Sequence, residues 1–330
     1  MFVRVLVVGC GSIGMRHLRN LKSLGNLELL AYDPILENRE RAHRECGAHL
    51  FDSLDEALKA GADIAFVTTP SHLHVSIALQ AAQAGCHLFI EKPLSHTDER
   101  LDELVDLVRK KQLITMVGCN MRFHQGPATM KKLLEAGVIG KVTSAIMEAG
   151  YYMPDWHPDQ DYRTRYSANR SMGGGVVLDA IHEIDYAHWL FGEVKEVFCA
   201  GGKISGLDID VEDSVNIIMQ FAAGFSIMLH LDYIQRTYSR SCKIIGEEGT
   251  ISWDIGGPFR WYSAKTKTWT AVDPPPEYTI NDMYIEELRH FLDRYAHRER
   301  TTLDLEDGAR VTRLAFAIKQ SMNTGQKVTL

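Results

Sequence analysis

The sequence predicts an α/β fold in two domains: a doubly wound parallel sheet first, then an α/β domain with a large, mostly antiparallel open sheet. A length of 330 residues is enough for two domains with ordinary cores. Up to about residue 120, apolar strand-like runs alternate with helical patterns, which indicates parallel strands joined by right-handed crossovers. After about residue 140, strand-like runs follow one another through short turns, which favours antiparallel pairing. We therefore expect domains at residues 1–120 and 121–330.

The composition is typical of a globular protein, with 45% hydrophobic residues, 24% charged residues and a formal net charge of −7. An acidic balance argues against nucleic-acid binding, which usually requires a basic excess. No apolar run approaches the roughly 18 residues that span a bilayer. The cysteines are scattered without a C-x-x-C pair, which indicates reduced thiols. We expect a cytoplasmic protein with neither a nucleic-acid nor a membrane partner.

The first apolar run, VRVLVV, leads directly into GCGSIG, where Gly9, Gly11 and Gly14 have the G-x-G-x-x-G spacing. These glycines allow a tight turn, a close approach of the backbone to a diphosphate, and close packing of helix on strand. The helix that follows offers free N–H groups and a favourable dipole to the phosphates. The pattern predicts a dinucleotide site.

Asp33 ends the second apolar run about 20 residues further on, where an acidic residue completes the motif. A carboxylate there accepts hydrogen bonds from ribose hydroxyls and repels a 2′-phosphate, and no arginine is adjacent in sequence. The cofactor is therefore expected to be NAD rather than NADP. A second interpretation is that Asp33 caps the next helix, and the two roles are compatible.

Ligands on a doubly wound sheet bind beyond the carboxyl ends of the strands. Those ends have the sequences GCGSIG, AYDP, TTPSHLH, EKPLS and GCNMRF. The residues expected to bind the cofactor are Gly9, Gly11, Ser12, Ile13, Gly14, Asp33, Thr69, Pro70, His74, Glu91, Lys92 and Asn120.

The segments GCGSIGMRHL, TPSHLH, EKP at residues 91–93, and GGGVVLDAIHEID at residues 173–185 resemble the Gfo/Idh/MocA oxidoreductase family over nearly the whole chain. The resemblance implies an N-terminal Rossmann domain and a second domain whose sheet often forms an oligomer contact. It also implies hydride transfer between nicotinamide and a carbinol carbon of a sugar or related molecule. A likeness to branches that handle sugar nucleotides and surface polysaccharides favours a nucleotide sugar or an acidic sugar.

Lys92 is the first expected catalytic residue, and by resemblance it would lie between nicotinamide and substrate. It follows the apolar run LFI and precedes Pro93, which restricts the backbone. An ammonium at a strand's carboxyl end can stabilise a hydroxyl oxygen that becomes alkoxide-like as hydride leaves. The alternative is a solvated Glu91–Lys92 pair at a strand end.

The run from Val176 onward predicts one continuous helix with two faces. At about 100° per residue, Asp179, His182, Glu183 and Tyr186 share a face opposite an apolar one. The preceding glycines allow a close approach of backbone to a ligand. We interpret this polar face as part of the active site rather than as a face that simply meets water.

His182 is the expected proton-transfer group, because imidazole exchanges protons near neutral pH. Either Asp179 or Asp185 would orient it. The family pattern often has Asp and His four residues apart, whereas Asp179 and His182 are three apart. Aligning the run from its other end would put Glu183 in this role. The acidic and histidine side chains spread around the helix and cannot converge on one ion, so no metal is expected.

The segment from residue 151 to 172 is rich in aromatic and basic residues. Its rings provide flat faces for a sugar, and its arginines, with one from NMRF, can hold a carboxylate or phosphate in a bidentate manner. A decorated surface loop is the alternative. The residues expected to bind substrate are Lys92, Arg122, Tyr162, Arg163, Asp179 and His182, with Arg165 and Arg170 as further candidates.

Together these features predict an NAD-dependent dehydrogenase acting on a CH–OH group of a sugar. The broad second sheet has few covering helices, so we expect a homo-oligomer, a dimer or tetramer, to cover it. Two other functions remain open. One is a redox-neutral enzyme that eliminates or hydrolyses a sugar through transient oxidation, and the other is a ligand-sensing regulator without catalysis.

Overall fold

The computed structural model describes residues 2–330, which form two compact units. The first unit comprises the chain up to Cys119 together with Asn281–Thr312. The second comprises Asn120–Ile280 and Arg313–Leu330. Each unit is built around its own sheet.

The first unit contains a six-stranded sheet in the order β3-β2-β1-β4-β5-β6, and every neighbouring pair is parallel. The strands are β1 Val3–Val8, β2 Leu27–Tyr32, β3 His49–Leu50, β4 Ile64–Val67, β5 His87–Glu91 and β6 Thr115–Gly118. Strands β4, β5 and β6 are buried along their whole length, as expected for a parallel sheet covered on both faces. The predicted doubly wound sheet is confirmed.

Helices alternate with these strands in the chain. They are α1 Ser12–Leu24, α2 Leu36–Cys46, α3 Leu54–Lys59, α4 His74–Ala84 and α5 Leu101–Lys111. Because β4 follows β3 in the chain but pairs with β1, the strand order reverses between β1 and β4. Such a reversal opens a crevice at the carboxyl ends of the two strands, which is where doubly wound sheets bind ligands.

Residues after 280 correct the predicted domain boundaries. Helix α10, Ile280–His297, carries Phe291, whose ring packs edge-on against Phe66 and Phe89 at 5.8 and 5.6 Å between centroids. The carbonyl of Leu303 accepts the N–H of Val117 at 3.0 Å. Residues 281–312 therefore complete the core of the first unit, although the sequence interpretation assigned them to the second domain.

The second unit contains a nine-stranded sheet in the order β14-β13-β12-β11-β7-β10-β9-β8-β15. The strands are β7 Val142–Tyr152, β8 Val194–Gly202, β9 Ser214–Phe221, β10 Ser226–Asp232, β11 Ile234–Gly246, β12 Gly249–Asp254, β13 Phe259–Ser263, β14 Thr268–Val272 and β15 Val328–Thr329. Only the β7–β10 pair is parallel, which confirms the predicted, mostly antiparallel sheet. Burial alternates along β9, so one face of this sheet is covered and the other is exposed.

The helices of the second unit include a break that the sequence interpretation missed. They are α6 Gln125–Glu135, α7 Met153–Trp156, α8 Val176–Asp179 and α9 Ile181–Phe191, and α11 Leu305–Thr324 is divided between the units. Ala180 separates α8 from α9 with φ −90° and ψ 31°. The predicted continuous helix is therefore two helices, and face assignments carried across residue 180 do not hold.

Candidate active site

The glycine turn after β1 has three distinct local environments. Gly9 has a φ of +96°, and a Cβ there would lie 2.9 Å from the backbone of Thr68. A Cβ on Gly14 would lie 1.9 Å from the carbonyl oxygen of Gly9, so only glycine allows α1 to pack this closely on the turn. A Cβ on Gly11 would meet open space. The first and third glycines thus serve packing, and the second faces open space.

The start of α1 is suited to an anion. Gly11 is its N-cap residue, and no side chain caps the first turn of this helix. Ser12 is exposed and Ile13 is half-buried. The unsatisfied N–H groups of the first turn and the positive end of the helix dipole are therefore available to phosphate oxygens, so these residues fit a dinucleotide.

Asp33 is fixed at the end of β2. It is 5% exposed, and its carboxylate accepts the N–H groups of Cys10 at 2.7 Å and Ile35 at 2.8 Å. Burial and the Asp33 charge raise the pKa of the Cys10 thiol to about 12, so this cysteine remains protonated at neutral pH. The carboxylate therefore anchors both the glycine turn and the turn into α2. It does not cap α2, whose N-cap residue is Ile35 and has no side-chain capping bond, and the ribose role of Asp33 stays a prediction.

Two arginines from α2 lie close to this carboxylate, although none is adjacent in sequence. Arg39 donates to the carbonyl oxygen of Asp33 at 2.8 Å, and Arg41 donates to that of Cys10 at 2.8 Å. The turn therefore carries positive as well as negative charge.

The carboxyl end of β4 presents further donors and acceptors. The hydroxyl of Thr69 is buried and has no hydrogen-bond partner among residues 2–330, and Pro70 beside it is exposed. In the second unit, the side-chain oxygen of Asn120 is likewise buried without a partner among the described residues. Buried polar atoms normally have partners, so these two atoms are candidates to bind a ligand.

His74 does not face the ligand space as the sequence interpretation expected. It is 1% exposed, with Nδ1 lying 2.9 Å from the carbonyl oxygen of Pro93 and Nε2 lying 2.7 Å from that of Thr69. Burial lowers the pKa of His74, while the two carbonyl contacts raise it. The side chain supports the two strand ends from inside the domain.

Glu91 is also internal, whereas Lys92 reaches the edge of the sheet. Glu91 is 7% exposed; its Oε1 accepts from Nε2 of His17 at 2.6 Å and its Oε2 accepts the N–H of Lys92 at 3.1 Å. Lys92 follows the last residue of β5, is half-buried, and precedes Pro93 through a cis peptide bond. Glu91 is therefore buried rather than solvated, which contradicts the alternative of a solvated Glu91–Lys92 pair.

Tyr284 is a neighbour of this lysine that the sequence interpretation missed, because α10 was assigned to the other domain. Burial and the Glu91 charge raise the pKa of Tyr284, while Arg16 and Lys92 lower it. Its ring lies 4.5 Å from the guanidinium carbon of Arg16. No local sequence pattern marks Tyr284, since its position depends on the return of the chain to the first unit.

In the second unit, Asp179 is held by two tyrosines. The hydroxyls of Tyr151 and Tyr166 donate to its two oxygens at 2.6 and 2.5 Å. Burial and the Asp179 charge raise the pKa of Tyr151 well above its ordinary value, so the phenol keeps the proton that it donates. His182, 9% exposed, is the second residue of α9 and lies two residues after the break at Ala180. That Asp179 orients His182 stays a prediction.

Asp185 and Arg122 have other roles than those expected. Nε and Nη2 of Arg122 donate to the two oxygens of Asp185 at 2.9 and 2.7 Å, and both side chains are almost completely buried. Charged groups at such depth require this pairing. The structure therefore corrects two expectations. Asp185 forms an ion pair with Arg122 instead of orienting His182. The guanidinium of Arg122 is occupied by this pair and is not available to bind a substrate anion in a bidentate manner.

Glu183 is likewise part of a buried ion pair. It is completely buried, and Nε of Arg240, on β11, lies 2.7 Å from its Oε1. Burial raises the pKa of Glu183, and the Arg240 charge opposes this shift. Tyr186 is also completely buried. These two residues therefore do not share an open polar face with His182, and the alternative proton-transfer role of Glu183 loses its support.

The glycines before α8 accommodate the protein itself. A Cβ on Gly175 would lie 2.2 Å from Oε1 of Glu212, and one on Gly174 would lie 2.5 Å from the carbonyl oxygen of Tyr166. We expected a ligand to approach these glycines closely. In the structure the loop before the helix and the side chain of Glu212 approach them instead.

Most arginines of the 151–172 loop are paired within the protein. Arg163 forms an ion pair with Asp161 at 2.7 Å, and Arg170 donates to the carbonyl oxygen of Asp210. Arg165 is half-buried, and its guanidinium has no ion-pair partner among residues 2–330. The hydroxyl of Tyr162 accepts the N–H of Asp208 at 3.2 Å, so this ring is also partly engaged.

An aromatic surface adjoins Asp179. Trp156 is 46% exposed, and its ring centroid lies 4.6 Å from that of Tyr151, whose hydroxyl donates to Asp179. Tyr238 lies 5.3 Å from Trp156 and is 42% exposed. Flat, partly exposed rings of this kind suit the apolar face of a sugar.

Three general properties concern the described residues as a whole. Among residues 2–330, no helix is both long and apolar enough to cross a membrane. Within the same residues, no group of three or more His, Cys, Asp or Glu side chains is arranged to hold a metal ion. The six cysteines are buried free thiols.

The parallel sheet, its glycine turn and the carboxylate at the end of β2 define a dinucleotide-binding domain, and the chain carries a second α/β domain with its own sheet. Residues 3–119 match the NAD-binding Rossmann-fold domain of the oxidoreductase family, and residues 128–252 match the GFO/IDH/MocA C-terminal domain. The chain therefore belongs to the Gfo/Idh/MocA family of oxidoreductases, and its first domain binds NAD.

Named relatives extend over most of the chain. Myo-inositol 2-dehydrogenase of Thermotoga maritima is 27% identical, over 99% of this chain and 98% of the relative. The 2,7-anhydro-N-acetylneuraminate hydratase of Escherichia coli K12 is 30% identical, over 66% of this chain and 58% of the relative. Levoglucosan dehydrogenase in complex with NADH and levoglucosan has a TM-score of 0.90 at 22% identity, covering 100% of this chain and 99% of the other. At this identity the structural likeness establishes the fold.

Proposed function

We propose that the protein is an NAD-dependent dehydrogenase that oxidises a secondary hydroxyl of a sugar derivative, or reduces the corresponding ketone. The observation that carries the proposal is the position of Lys92, a half-buried residue whose backbone N–H is fixed at the carboxyl end of β5 in an NAD-binding domain. Relatives that are named as dehydrogenases of inositol and levoglucosan support a ring carbinol as the reacting group.

Each catalytic residue has a defined task in this proposal. The bound cofactor would supply the hydride acceptor for the carbinol carbon. Lys92 donates a hydrogen bond to the hydroxyl oxygen and stabilises its growing negative charge. His182 takes the hydroxyl proton, and Asp179, fixed by Tyr151 and Tyr166, orients the imidazole.

Cofactor binding is assigned to the glycine turn and the strand ends. Gly11, Ser12 and Ile13 present backbone N–H groups to the diphosphate, and Gly9 and Gly14 allow the turn to form. Further contacts are assigned to the ends of β2, β4 and β6. The residues making them are Asp33 for the ribose, and Thr69, Pro70 and Asn120 nearer the nicotinamide.

The substrate is proposed to stack on the aromatic surface of Trp156 and Tyr151. A nucleotide sugar or acidic sugar remains our favoured class, but its anionic group now depends mainly on Arg165. Arg122, Arg163 and Arg170 have partners within the protein. A neutral polyol becomes the better assignment if removing the Arg165 charge leaves substrate binding unchanged.

The test is a screen for NADH formation with a panel of inositols, levoglucosan, uronic acids and UDP-sugars. The proposal predicts that at least one of these produces NADH stoichiometrically, and that Lys92→Met abolishes this reaction while NADH binding is retained. Wild-type turnover that survives in Lys92→Met would show that the assignment of Lys92 is wrong.

A redox-neutral reaction is the second candidate, because the Escherichia coli relative is a hydratase. In that case the sugar is oxidised transiently, a substituent is eliminated, and the hydride returns to the substrate. Product that accumulates without NADH identifies this reaction, whereas stoichiometric NADH excludes it.

We further propose that the second sheet mediates a homo-oligomer, a dimer or tetramer. Met228 pairs with Ile146 and Ile218, and Ile218 pairs with Phe198, so these residues form a continuous row across four strands. They are 39% to 53% exposed. An exposed apolar row on one face of a sheet favours burial against a second copy. The six free thiols support the predicted cytoplasmic location.

A further inference from the structure

The backbone of Lys92 is fixed on its N-terminal side by a completely buried histidine. His17, on α1, is 0% exposed, and because a carboxylate can only accept, its Nε2–H donates to Oε1 of Glu91 at 2.6 Å. The other oxygen of Glu91 accepts the N–H of Lys92 at 3.1 Å. A hydrogen-bonded chain therefore runs from helix α1 through Glu91 to the Lys92 backbone.

The surroundings of His17 hold this chain in place. Its ring packs against Phe66, Phe89 and Tyr284 at centroid distances of 5.6, 5.1 and 6.3 Å. On the neighbouring strand, Gly118 pairs with Glu91, and a Cβ at Gly118 would lie 3.2 Å from Oε1 of that carboxylate. Aromatic rings leave His17 little rotational freedom, and a glycine provides the space for the carboxylate.

A second buried histidine fixes the C-terminal side. His74 lies between the carbonyl oxygens of Pro93 and Thr69, at 2.9 and 2.7 Å from its two ring nitrogens. A neutral imidazole donates to one of these carbonyls and a cationic imidazole donates to both. In either state the ring ties a strand-end loop to α4.

We propose that His17, through Glu91, and His74 are positioning residues that hold the Lys92–Pro93 turn from both sides, so that the lysine ammonium keeps its catalytic orientation. This inference rests on the proposed catalytic function of Lys92. Neither histidine contacts substrate in this role. Catalytic groups lose efficiency steeply when displaced, and a shift of about 1 Å can cost about 100-fold in rate.

The experiment compares His17→Leu, His74→Leu and Glu91→Gln with the wild type. Glu91→Gln keeps the side-chain shape but cannot accept both hydrogen bonds in the same way. It therefore tests the hydrogen bonds from His17 through Glu91 to Lys92 if a leucine variant does not fold. We expect kcat to fall about 10- to 100-fold while KM for NAD changes little. His17→Gln and His74→Gln keep a side-chain N–H donor and should restore most of the activity.

Amide-resolved hydrogen exchange on the protein without substrate gives a readout independent of turnover. Because the Lys92 N–H is bonded to Glu91, His17→Leu and Glu91→Gln should lose protection at that amide. His49→Leu, the same change at an exposed histidine of β3, should alter neither kcat nor the exchange. Thermal unfolding of each variant establishes that it is folded.

Two outcomes separate this inference from the proposed function. Full turnover in Lys92→Met would overturn the catalytic assignment itself. An inactive Lys92→Met, combined with wild-type kcat and unchanged Lys92 amide protection in all folded histidine and Glu91 variants, would overturn the positioning role alone.

Discussion

At the scale of single residues, the three glycines of the cofactor turn have different duties. The G-x-G-x-x-G spacing in the sequence does not distinguish these roles. Only the structure shows that a side chain at Gly14 would collide with the Gly9 carbonyl, whereas one at Gly11 would meet open space. Replacing each with alanine therefore separates packing from ligand binding.

We expect Gly14→Ala to destabilise the protein, because its Cβ would lie 1.9 Å from a backbone oxygen and the helix would have to shift. An overpacked site of this kind typically costs about 1–3 kcal/mol. Gly11→Ala should leave the melting temperature almost unchanged but weaken NADH binding, because the methyl group occupies the space of the diphosphate. Thermal unfolding and NADH fluorescence titration measure the two effects. Equal melting temperatures in the two variants would contradict this division.

The arginines near Asp33 make a second residue-scale prediction. In Asp33→Ser the carboxylate that repels a 2′-phosphate is lost, while Arg39 and Arg41 remain beside the turn. We expect the ratio of kcat/KM for NADP to that for NAD to rise at least about tenfold, the equivalent of about 1.4 kcal/mol. Asp52→Ser is the control, since Asp52 also pairs with Arg39 but is 92% exposed. A ratio that rises equally in the control would show that Arg39 alone sets the preference.

Residue partners were the least predictable feature from sequence. The pairs Asp185–Arg122 and Glu183–Arg240 join positions 63 and 57 residues apart. Periodicity in one helix shows which side chains share a face, but not which distant strand or turn supplies a counter-charge. The glycine turn and Lys92, by contrast, follow from local chain geometry at strand ends and were predictable.

At the scale of elements, the N-terminus of α6 contains a buried histidine with a strongly shifted pKa. Nδ1 of His124 accepts the N–H of Gly126 at 3.1 Å and caps the helix, and the ring packs against Trp253 and Tyr278. Burial and then the Arg240 charge lower the pKa of His124 to about 4. The capping bond requires an unprotonated Nδ1, so the folded protein favours the neutral ring.

This shift predicts a pH-dependent stability. Between the unfolded pKa of 6.5 and the folded pKa of about 4, the unfolded chain binds more protons, so the free energy of unfolding falls as pH falls through this window. This difference between the folded and unfolded pKa values corresponds to about 3 kcal/mol of unfolding free energy when the ring is neutral in both states. The contribution is fully present above pH 6.5.

His124→Asn keeps a capping oxygen and removes the titrating group. We expect its free energy of unfolding, measured by urea denaturation between pH 7 and 4, to fall less steeply than that of the wild type. The same slope in both proteins would mean that His124 does not carry the shifted pKa.

The helices and strands themselves were largely predictable. A half-buried strand repeats its apolar residues every 2 positions and a helix every 3.6, and both repeats are visible in the local sequence. The break at Ala180 was not predictable, because α8 and α9 each have a helical pattern and nothing between them signals a turn. The role of α10 was also missed. Its apolar face would suit either domain, and only tertiary packing shows that Phe291 joins the first core.

At the scale of the whole molecule, the exposed row Phe198, Ile218, Met228 and Ile146 predicts self-association. Met228→Glu places a charge in the middle of this row, where burial against a second copy would leave it unpaired. Sedimentation velocity should show a smaller species for the variant than for the wild type. Leu50→Glu, the same kind of change at an exposed apolar residue of β3, is the control. An oligomer that withstands Met228→Glu would exclude this face.

In the proposed reaction the Lys92 ammonium stabilises the sugar hydroxyl oxygen while hydride leaves the carbinol carbon. The most direct measurement is the single-turnover rate of NADH formation in Lys92→Met against the wild type, with NADH affinity determined for both by fluorescence titration. We expect the rate to fall at least about 100-fold, because the charge stabilisation is lost, while NADH affinity stays nearly unchanged. A wild-type rate in Lys92→Met, with the cofactor bound normally, would contradict this expectation.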